Sequence, residues 1–104
     1  MYYTYMLICR GGSIYTGFAA DLVRRMGEHF GGTDKCAKYT RSHPPERLAA
    51  AWKTGDKAAA CRLEYRIKQL TKKQKLSLIE SGDLSIFGEK INAGDYEKAD
   101  ISVF

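Results

Sequence analysis

The chain has 104 residues, of which 44% are hydrophobic and 12% aromatic, and this length holds one small core and excludes a second domain of ordinary size. The formal net charge of +5 favours an anionic partner. No run approaches the roughly 18 apolar residues of a membrane span. Three cysteines without C-x-x-C spacing, Cys9, Cys36 and Cys61, exclude a zinc knuckle and favour a reducing compartment, so we expect a cytoplasmic protein.

A hairpin is predicted at the N-terminus, with strands over Tyr2–Cys9 and Ile14–Phe18. The loop between the strands sets which face of the sheet each tyrosine occupies. A loop of the two glycines alone puts Tyr5 and Tyr15 on opposite faces, whereas the bulged three-residue loop Arg10–Gly12 puts both on one face. We favour the three-residue loop, because a joint role for the two tyrosines requires it.

The hydrophobic period changes after Gly17, which we expect to turn the chain from the second strand into a helix. Apolar residues then recur at helical spacing, which predicts a helix from residue 20 or 21 to residue 30. The start of this helix shows no strong cap. Arg25 and His29 lie one turn apart on it, so both can face the same spot as the tyrosine of the second strand.

The middle of the chain is predicted to contain a loop, a strand and two helices. Residues 33–46 are polar and end in two prolines, which indicates a loop that carries the sequence K-Y-T-R. Arg47–Lys53 is interpreted as a third strand, although its three alanines would also suit a helix. Asp56 is a good N-cap for a helix over Lys57–Leu70, and a capping box precedes a short third helix that ends before residue 82.

The chain is predicted to divide into a domain over residues 1–82 and a tail over residues 83–104. Residues 1–80 carry 15 Lys and Arg against 7 Asp and Glu, whereas residues 81–104 carry 2 against 5. The acidic tail is also rich in apolar residues, so it should dock on the domain or stay partly disordered. We expect a protein partner to bind through it.

Five side chains offer chemistry for phosphodiester hydrolysis: Tyr5, Tyr15, Arg25, His29 and Glu64. A guanidinium binds phosphate oxygens and stabilises the charge that develops in the transition state. A carboxylate holds Mg²⁺, which keeps most of its waters. A phenol or imidazole takes the proton of the attacking water, but a tyrosine with its ordinary pKa of ~10 needs a nearby cation or metal to favour the phenolate.

The same side chains also have ordinary structural roles that the sequence leaves open. The tyrosines suit a half-buried strand, and Arg25 can form a surface ion pair with Asp21 four residues before it. His29 can interact with the helix dipole as a C-terminal cation. Glu64 borders an apolar stripe, where it can form a salt bridge with Lys68 instead of binding a metal.

The chain resembles the GIY-YIG nuclease superfamily, and within it the small stand-alone bacterial proteins of a single GIY-YIG domain. The resemblance covers Tyr2–Glu80 and rests on these matches: Thr4-Tyr5-Met6 at the G-I-Y position, Tyr15-Thr16-Gly17 at the Y-I-G position, Arg25, His29, Lys38-Tyr39-Thr40-Arg41 and Glu64. It implies an α+β fold in which a three-stranded antiparallel sheet is flanked by helices, in the order β-β-α-β-α-α.

The resemblance also implies a role for each matched residue in metal-dependent DNA cleavage during repair or recombination. Tyr5 and Tyr15 would position or deprotonate the water, and Arg25 would contact the scissile phosphate. Glu64 would ligate a single Mg²⁺ or Mn²⁺, with His29 as an auxiliary polar group. The Asn that many active relatives carry after the metal Glu has no counterpart here, which leaves a non-catalytic nucleic-acid-binding module as the alternative.

A basic surface with one aromatic residue is predicted to bind the nucleic acid, which we expect to be DNA. Cations follow the phosphate backbone and an exposed ring stacks on a base in binders of low specificity. The predicted binding residues are Arg24, Lys35, Lys38, Tyr39, Arg41, Lys72 and Lys73.

Overall fold

A computed structural model describes residues 1–32, 35 and 37–104, and in it the chain forms a four-stranded antiparallel sheet of order β2-β1-β3-β4. β1 (Tyr2–Cys9) lies in the centre between β2 (Ile14–Ala19) and β3 (Pro45–Thr54). The predicted α+β fold with a helix-flanked antiparallel sheet is confirmed. The predicted number of three strands is wrong by one, because the tail supplies the short β4 (Glu97–Lys98), which pairs with β3.

The β1–β2 hairpin has the predicted three-residue loop. Arg10–Gly12 forms a single 3₁₀ turn in which both glycines have positive φ. The Cys9 N–H donates to the Ser13 carbonyl at 2.8 Å, and Leu7 pairs with Tyr15. This register puts Tyr5 and Tyr15 on the same face of the sheet.

Helix α1 (Leu22–Phe30) follows β2, and it has the N-cap that we did not expect. The Asp21 carboxylate accepts a hydrogen bond from the Arg24 N–H at 3.0 Å, as a capping aspartate does. The prediction that this helix starts without a strong cap was therefore wrong, because Asp21 occupies the cap position.

Helix α2 (Lys38–Ser42) lies inside the segment that was predicted to be a loop. The loop prediction was wrong for K-Y-T-R, which closes a short helix through backbone bonds from Arg41 to Ala37 and from His43 to Tyr39. The predicted loop also includes residues 33, 34 and 36, which lie outside the described part of the chain.

Two further helices have the predicted caps. α3 (Lys57–Lys68) is capped by Asp56, and α4 (Lys72–Ser81) begins with the capping box of Thr71 and Gln74. The chain leaves α4 at Gly82, whose φ of 68° lies in the left-handed region that glycine adopts readily.

The two faces of the sheet bury separate clusters of side chains. The larger cluster packs under α3, α4 and the segment 84–91, and it comprises Met6, Ala50, Trp52, Leu63, Ile67, Leu78, Leu84, Phe87 and Ile91. The smaller cluster packs under α1, and it comprises Tyr5, Leu7, Cys9, Leu22, Met26, Leu48 and Ala51. The tail therefore contributes to the larger core, while its predicted role in binding a protein partner and the domain boundary at residue 82 stay predictions.

Within the described ranges, no helix has the length and apolarity needed to cross a membrane. Cys9 is buried, as expected for a core cysteine, and both Cys9 and the half-buried Cys61 are free thiols. The predicted cytoplasmic location stays a prediction.

Candidate active site

The site begins where the ring of Tyr5 lies across Gly17. These two residues are cross-strand partners, and Tyr5 is 1% exposed. A Cβ atom added to Gly17 would lie 2.7 Å from Tyr5 Oη and 2.9 Å from Tyr5 Cζ, so only glycine leaves room for the ring. Gly17 sits within β2, which continues to Ala19, and the expectation that it turns the chain toward the helix is therefore wrong.

A chain of hydrogen bonds leads from Tyr5 into α2. Tyr5 Oη lies 2.7 Å from His29 Nε2, and His29 Nδ1 lies 2.9 Å from Thr40 Oγ1. The Thr40 hydroxyl donates to the Ala37 carbonyl at 3.1 Å, so it must accept the proton of His29 Nδ1. His29 Nε2 then accepts from the Tyr5 hydroxyl, which assigns one neutral tautomer to His29 from the network.

Burial of these hydrogen-bonded side chains shifts the pKa values of Tyr5 and His29 so that both groups favour their neutral forms. Burial and the positive charge of Arg25 lower the pKa of His29 to about 4. Burial raises the pKa of Tyr5 well above its ordinary value, although a hydrogen bond from Arg25 acts in the opposite direction. Burial therefore favours the protonated form of Tyr5. The roles that the sequence predicts for Tyr5 and Tyr15 at the attacking water stay predictions.

Arg25 is fixed by partners on three sides. Its Nη1 donates to Glu28 Oε1 at 2.8 Å and to the Lys35 carbonyl at 2.7 Å, and the guanidinium also hydrogen-bonds Tyr5. Burial acts to lower the pKa of Arg25, but the bonds to Glu28 and Tyr5 outweigh it and raise the pKa, so the side chain stays charged. The alternative ion pair of Arg25 with Asp21 is wrong, since Glu28 is the acidic partner and Asp21 caps the helix.

The sequence left two roles open for Glu64, a metal ligand or a partner of Lys68 in a salt bridge. The Glu64 side chain is 18% exposed, and its Oε2 lies 3.1 Å from Lys68 Nζ, which is the salt bridge that the sequence left open. The Glu64 carboxylate is also close enough to Tyr5 to raise the pKa of that phenol electrostatically. Glu64 on α3 therefore interacts electrostatically with Tyr5 on β1, and its role as a metal ligand stays a prediction.

The side chains of the site provide few ligands for a metal ion, so they suit only an ion that keeps most of its water ligands. Among the residues that the structure describes, no group of three His, Cys, Asp or Glu side chains can hold a metal. A single carboxylate such as Glu64 is compatible with Mg²⁺ or Mn²⁺, which bind through one or two carboxylates, waters and substrate phosphate. Closed sites for Zn²⁺ need more protein ligands than this.

A row of aromatic rings leads from the site to the surface along α2. The Tyr15 ring lies 5.4 Å from the His29 ring, and it stacks on Tyr39 at 5.8 Å with an interplanar angle of 22°. Tyr39 stacks in turn on His43 at 4.3 Å and 11°. We refer to Tyr15, Tyr39 and His43 as the aromatic row.

The predicted nucleic-acid-binding residues fall into three regions. Arg24 lines a groove of about 270 Å³ with Arg25, between the end of β2 and the start of α1. Lys38, Tyr39 and Arg41 lie on α2, and Lys35 precedes it. Lys72 and Lys73 lie on α4, where the Lys72 ammonium approaches Gly12 in the hairpin loop.

Sequence reasoning missed Thr40, Glu28 and His43 as members of the site. Glu28 follows Arg25 by three residues, a helical spacing that indicates an ion pair. Thr40 lies inside the K-Y-T-R sequence that was noted without a role for its hydroxyl. No local signal marks His43, because its position on Tyr39 follows from the unpredicted α2.

Comparisons with known proteins identify the family of the chain. The GIY-YIG catalytic domain matches residues 1–77, and the chain therefore belongs to the GIY-YIG family. The chain is 44% identical to UPF0213 protein BH0048 of Halalkalibacterium halodurans over 75% of its own length and 81% of that protein. It is 38% identical to a UPF0213 protein of Serratia proteamaculans over 98% of its length and 90% of that protein.

A solved structure supports the same relationship. The solution NMR structure of UPF0213 protein BH0048 from Bacillus halodurans superposes with a TM-score of 0.51 at 39% identity. The match covers 88% of this chain and 98% of that structure. Membership of the GIY-YIG family indicates nuclease activity, and the predicted family resemblance is confirmed.

Proposed function

We propose that the protein is an endonuclease that hydrolyses phosphodiester bonds of DNA with the help of Mg²⁺ or Mn²⁺. The observation that carries the proposal is the convergence of Tyr5, His29 and Arg25 into one hydrogen-bonded group, with Glu64 close enough to influence it. A role in DNA repair or recombination stays a prediction of the sequence.

Arg25 is the proposed phosphate-binding residue. A guanidinium has more N–H donors than the three partners Glu28, Lys35 and Tyr5 require, so it still has donors for phosphate oxygens. Because its partners hold it in place, little side-chain entropy is lost when the substrate binds. Its charge offsets the negative charge that develops on the phosphate during hydrolysis.

Tyr15 is the proposed residue that positions the attacking water. To accept the proton of that water, Tyr15 must be a phenolate, a form that a bound divalent metal ion nearby would favour. We assign this role to Tyr15 rather than to Tyr5, because burial raises the pKa of Tyr5 and its hydroxyl donates to His29. Tyr15 is more exposed than Tyr5, and its ring contacts both Tyr5 and His29. The oxygen of the water forms the new bond to phosphorus, and the bond to the leaving oxygen breaks.

Glu64 is the proposed ligand of the metal ion. A bound Mg²⁺ or Mn²⁺ would polarise the phosphate and lower the pKa of a metal-bound water. Glu64 must then exchange its ion pair with Lys68 for the metal.

A cleavage assay with paired variants tests the proposal. Supercoiled, nicked and branched DNA is incubated in Mg²⁺ or Mn²⁺ with the wild type, Arg25→Ala, Glu64→Ala and Arg24→Ala. Arg24 is the matched control, because it neighbours Arg25 in the same groove but its side chain is 70% exposed. We expect about 100-fold or greater loss of cleavage for Arg25→Ala and Glu64→Ala, and a small, salt-dependent loss for Arg24→Ala.

A non-catalytic nucleic-acid-binding module is the second candidate, and one observation favours it. Lys68 occupies the carboxylate that the metal would need, as in an ordinary surface ion pair. If the wild type binds all substrates in a salt-dependent way but leaves them intact in both metals, the nuclease proposal fails and the binding module stands.

A further inference from the structure

The outer part of the aromatic row carries an inference about the form of the substrate. We propose that the outer face of the His43 ring, which Tyr39 supports from behind, stacks against an unpaired nucleobase, so that the site acts on nucleic acid with unpaired nucleotides beside the scissile phosphate. This inference rests on the proposed nuclease function and specifies its substrate class. It depends on four features: the stacking geometry, the exposure of the rings, the neighbouring charges and the link to Tyr15.

The Tyr39 and His43 rings are arranged so that a further planar group, such as a nucleobase, can stack on them. The Tyr39 and His43 rings are nearly parallel, at 11°, with centroids 4.3 Å apart. His43 Nδ1 also lies 3.2 Å from the Tyr39 carbonyl, a contact that fixes the orientation of the imidazole. Such prearranged rings lose little side-chain freedom when a base stacks on them.

The rings are exposed rather than part of the core. Tyr39 is 37% exposed and His43 lies at the surface, whereas Tyr5 at the inner end is buried. The only buried side chain of α2 is Thr40, which holds His29. Within α2, one side chain therefore faces inward to the site while its neighbour presents a ring to solvent.

The charges beside the rings match a nucleic acid strand. Lys38 and Arg41 lie on the same short helix as Tyr39, and both are exposed. Cations that follow the backbone beside rings that accept bases are the combination used to bind single strands. The exposed Tyr65 provides a contrast on α3, since the ring contact of its side chain is with Arg66.

The link to Tyr15 explains why the base must be unpaired. A base inside a duplex already stacks on both sides, so it offers no face to a protein ring, whereas an unpaired base does. Tyr39 stacks on both Tyr15 and His43, so a base on the outer face of His43 extends an aromatic row that begins at the proposed catalytic group Tyr15. A strand that stacks there therefore brings a neighbouring phosphate toward Arg25 and Tyr15.

A binding experiment without metal tests the inference apart from cleavage. Fluorescence anisotropy in EDTA compares a labelled single strand with the blunt duplex of the same sequence, for the wild type, Tyr39→Leu, Tyr39→Trp, His43→Leu and Tyr65→Leu. A single strand containing 2-aminopurine reports stacking directly through quenching. We expect the wild type to prefer the single strand, and Tyr39→Leu to weaken single-strand binding by roughly 5- to 100-fold.

The variants distinguish stacking from general effects on the surface. Tyr39→Trp should keep the preference and the 2-aminopurine quenching, and His43→Leu should weaken both. Tyr65→Leu should change binding less than about 2-fold, because surface substitutions away from a site have small effects. Equal binding of single strand and duplex by the wild type, or an unchanged 2-aminopurine signal in Tyr39→Leu, would overturn the inference.

Cleavage by the same preparations separates this inference from the proposed function. If the wild type cleaves the blunt duplex as fast as the single strand in metal, and Tyr39→Leu slows neither reaction, the stacking inference fails and the nuclease stands. If single-strand preference depends on Tyr39 but no substrate is cleaved in either metal, the nuclease proposal fails and the stacking surface stands.

Discussion

The sheet face under α3 and α4 buries apolar side chains such as Trp52, Leu63 and Ile67, whereas the face under α1 buries Tyr5 and His29 beside its apolar residues. On the first face each side chain is stabilised by removal from water and close contact, so a missing atom leaves a cavity. On the second face the polar atoms depend on specific hydrogen-bond partners. The first face therefore supplies stability and the second supplies orientation, and each responds to a different kind of change.

The largest expected loss of stability follows from a cavity in the sheet face under α3 and α4. Leu63 is fully buried, and Leu63→Ala should lower the free energy of unfolding by about 2 to 5 kcal/mol. Leu76→Ala is the matched control, because Leu76 on α4 is 44% exposed and should change stability by about 0.5 kcal/mol or less. Urea denaturation measures both, and equal effects at the two positions would contradict the assignment of this core.

The stability of the protein should depend on pH through His29, which is buried on the sheet face under α1. The pKa of His29 is lowered to about 4 in the folded protein, while the unfolded chain binds a proton near its ordinary value of ~6.5. Stability should therefore be complete above pH ~6.5 and fall by about 2 to 3 kcal/mol as the pH is lowered toward 4.5.

The variant His29→Gln isolates this contribution. The amide can accept the Tyr5 hydrogen bond but does not titrate, so its unfolding free energy should depend less on pH between 7 and 4.5 than that of the wild type. If the two proteins lose equal stability over this range, His29 does not titrate as proposed.

The addition of a methyl group should change the stability of the protein in opposite directions at two glycines. Gly17→Ala places Cβ against the Tyr5 ring and should cost about 1 to 3 kcal/mol. Gly27→Ala, in α1, meets no atom within 4 Å and should stabilise the helix by roughly 0.5 to 1 kcal/mol. Thermal unfolding of both variants checks the opposite signs, and stabilisation by Gly17→Ala would show that Tyr5 does not lie across Gly17.

An effect of the same size as that of Gly17→Ala is expected at Thr40. Thr40→Val removes the acceptor of His29 Nδ1–H and should cost about 1 to 3 kcal/mol, whereas Thr40→Ser keeps the hydroxyl and most of the stability. Nitrogen-15 NMR of the imidazole reports the tautomer, which should stay fixed with Nδ1 protonated in the wild type and Thr40→Ser. A wild-type imidazole protonated at Nε2 would contradict the direction of the hydrogen-bond chain.

Much of the fold could be predicted because its signals are local. Alternation and β-branched residues define Tyr2–Cys9, and Asp56 and Thr71 mark helix starts through their own side chains. Helix α2 and strand β4 could not be predicted in this way. The first is one short turn held by the contact of Thr40 with His29, and the second is two charged residues that pair with β3.

The candidate site was predictable only in part, for the same reason. The loop length puts Tyr5 and Tyr15 on one face, and helical spacing puts Arg25 near His29. The position of Glu64 depends on how α3 packs, and only the family resemblance suggested it. The raised pKa of Tyr5 follows from burial by the tertiary structure, which local sequence does not report.

The central claim is that side chains from the hairpin and α3 serve a single hydrolytic site, and a double-mutant cycle tests it most directly. Single-turnover cleavage rates are measured for the wild type, Tyr15→Phe, Glu64→Gln and the double variant at saturating enzyme. Residues that act as a unit are not additive, so each single change should cost nearly as much as both together. The claim would be contradicted if the loss of cleavage rate in the double variant equalled the product of the two single losses, or if neither change affected the rate.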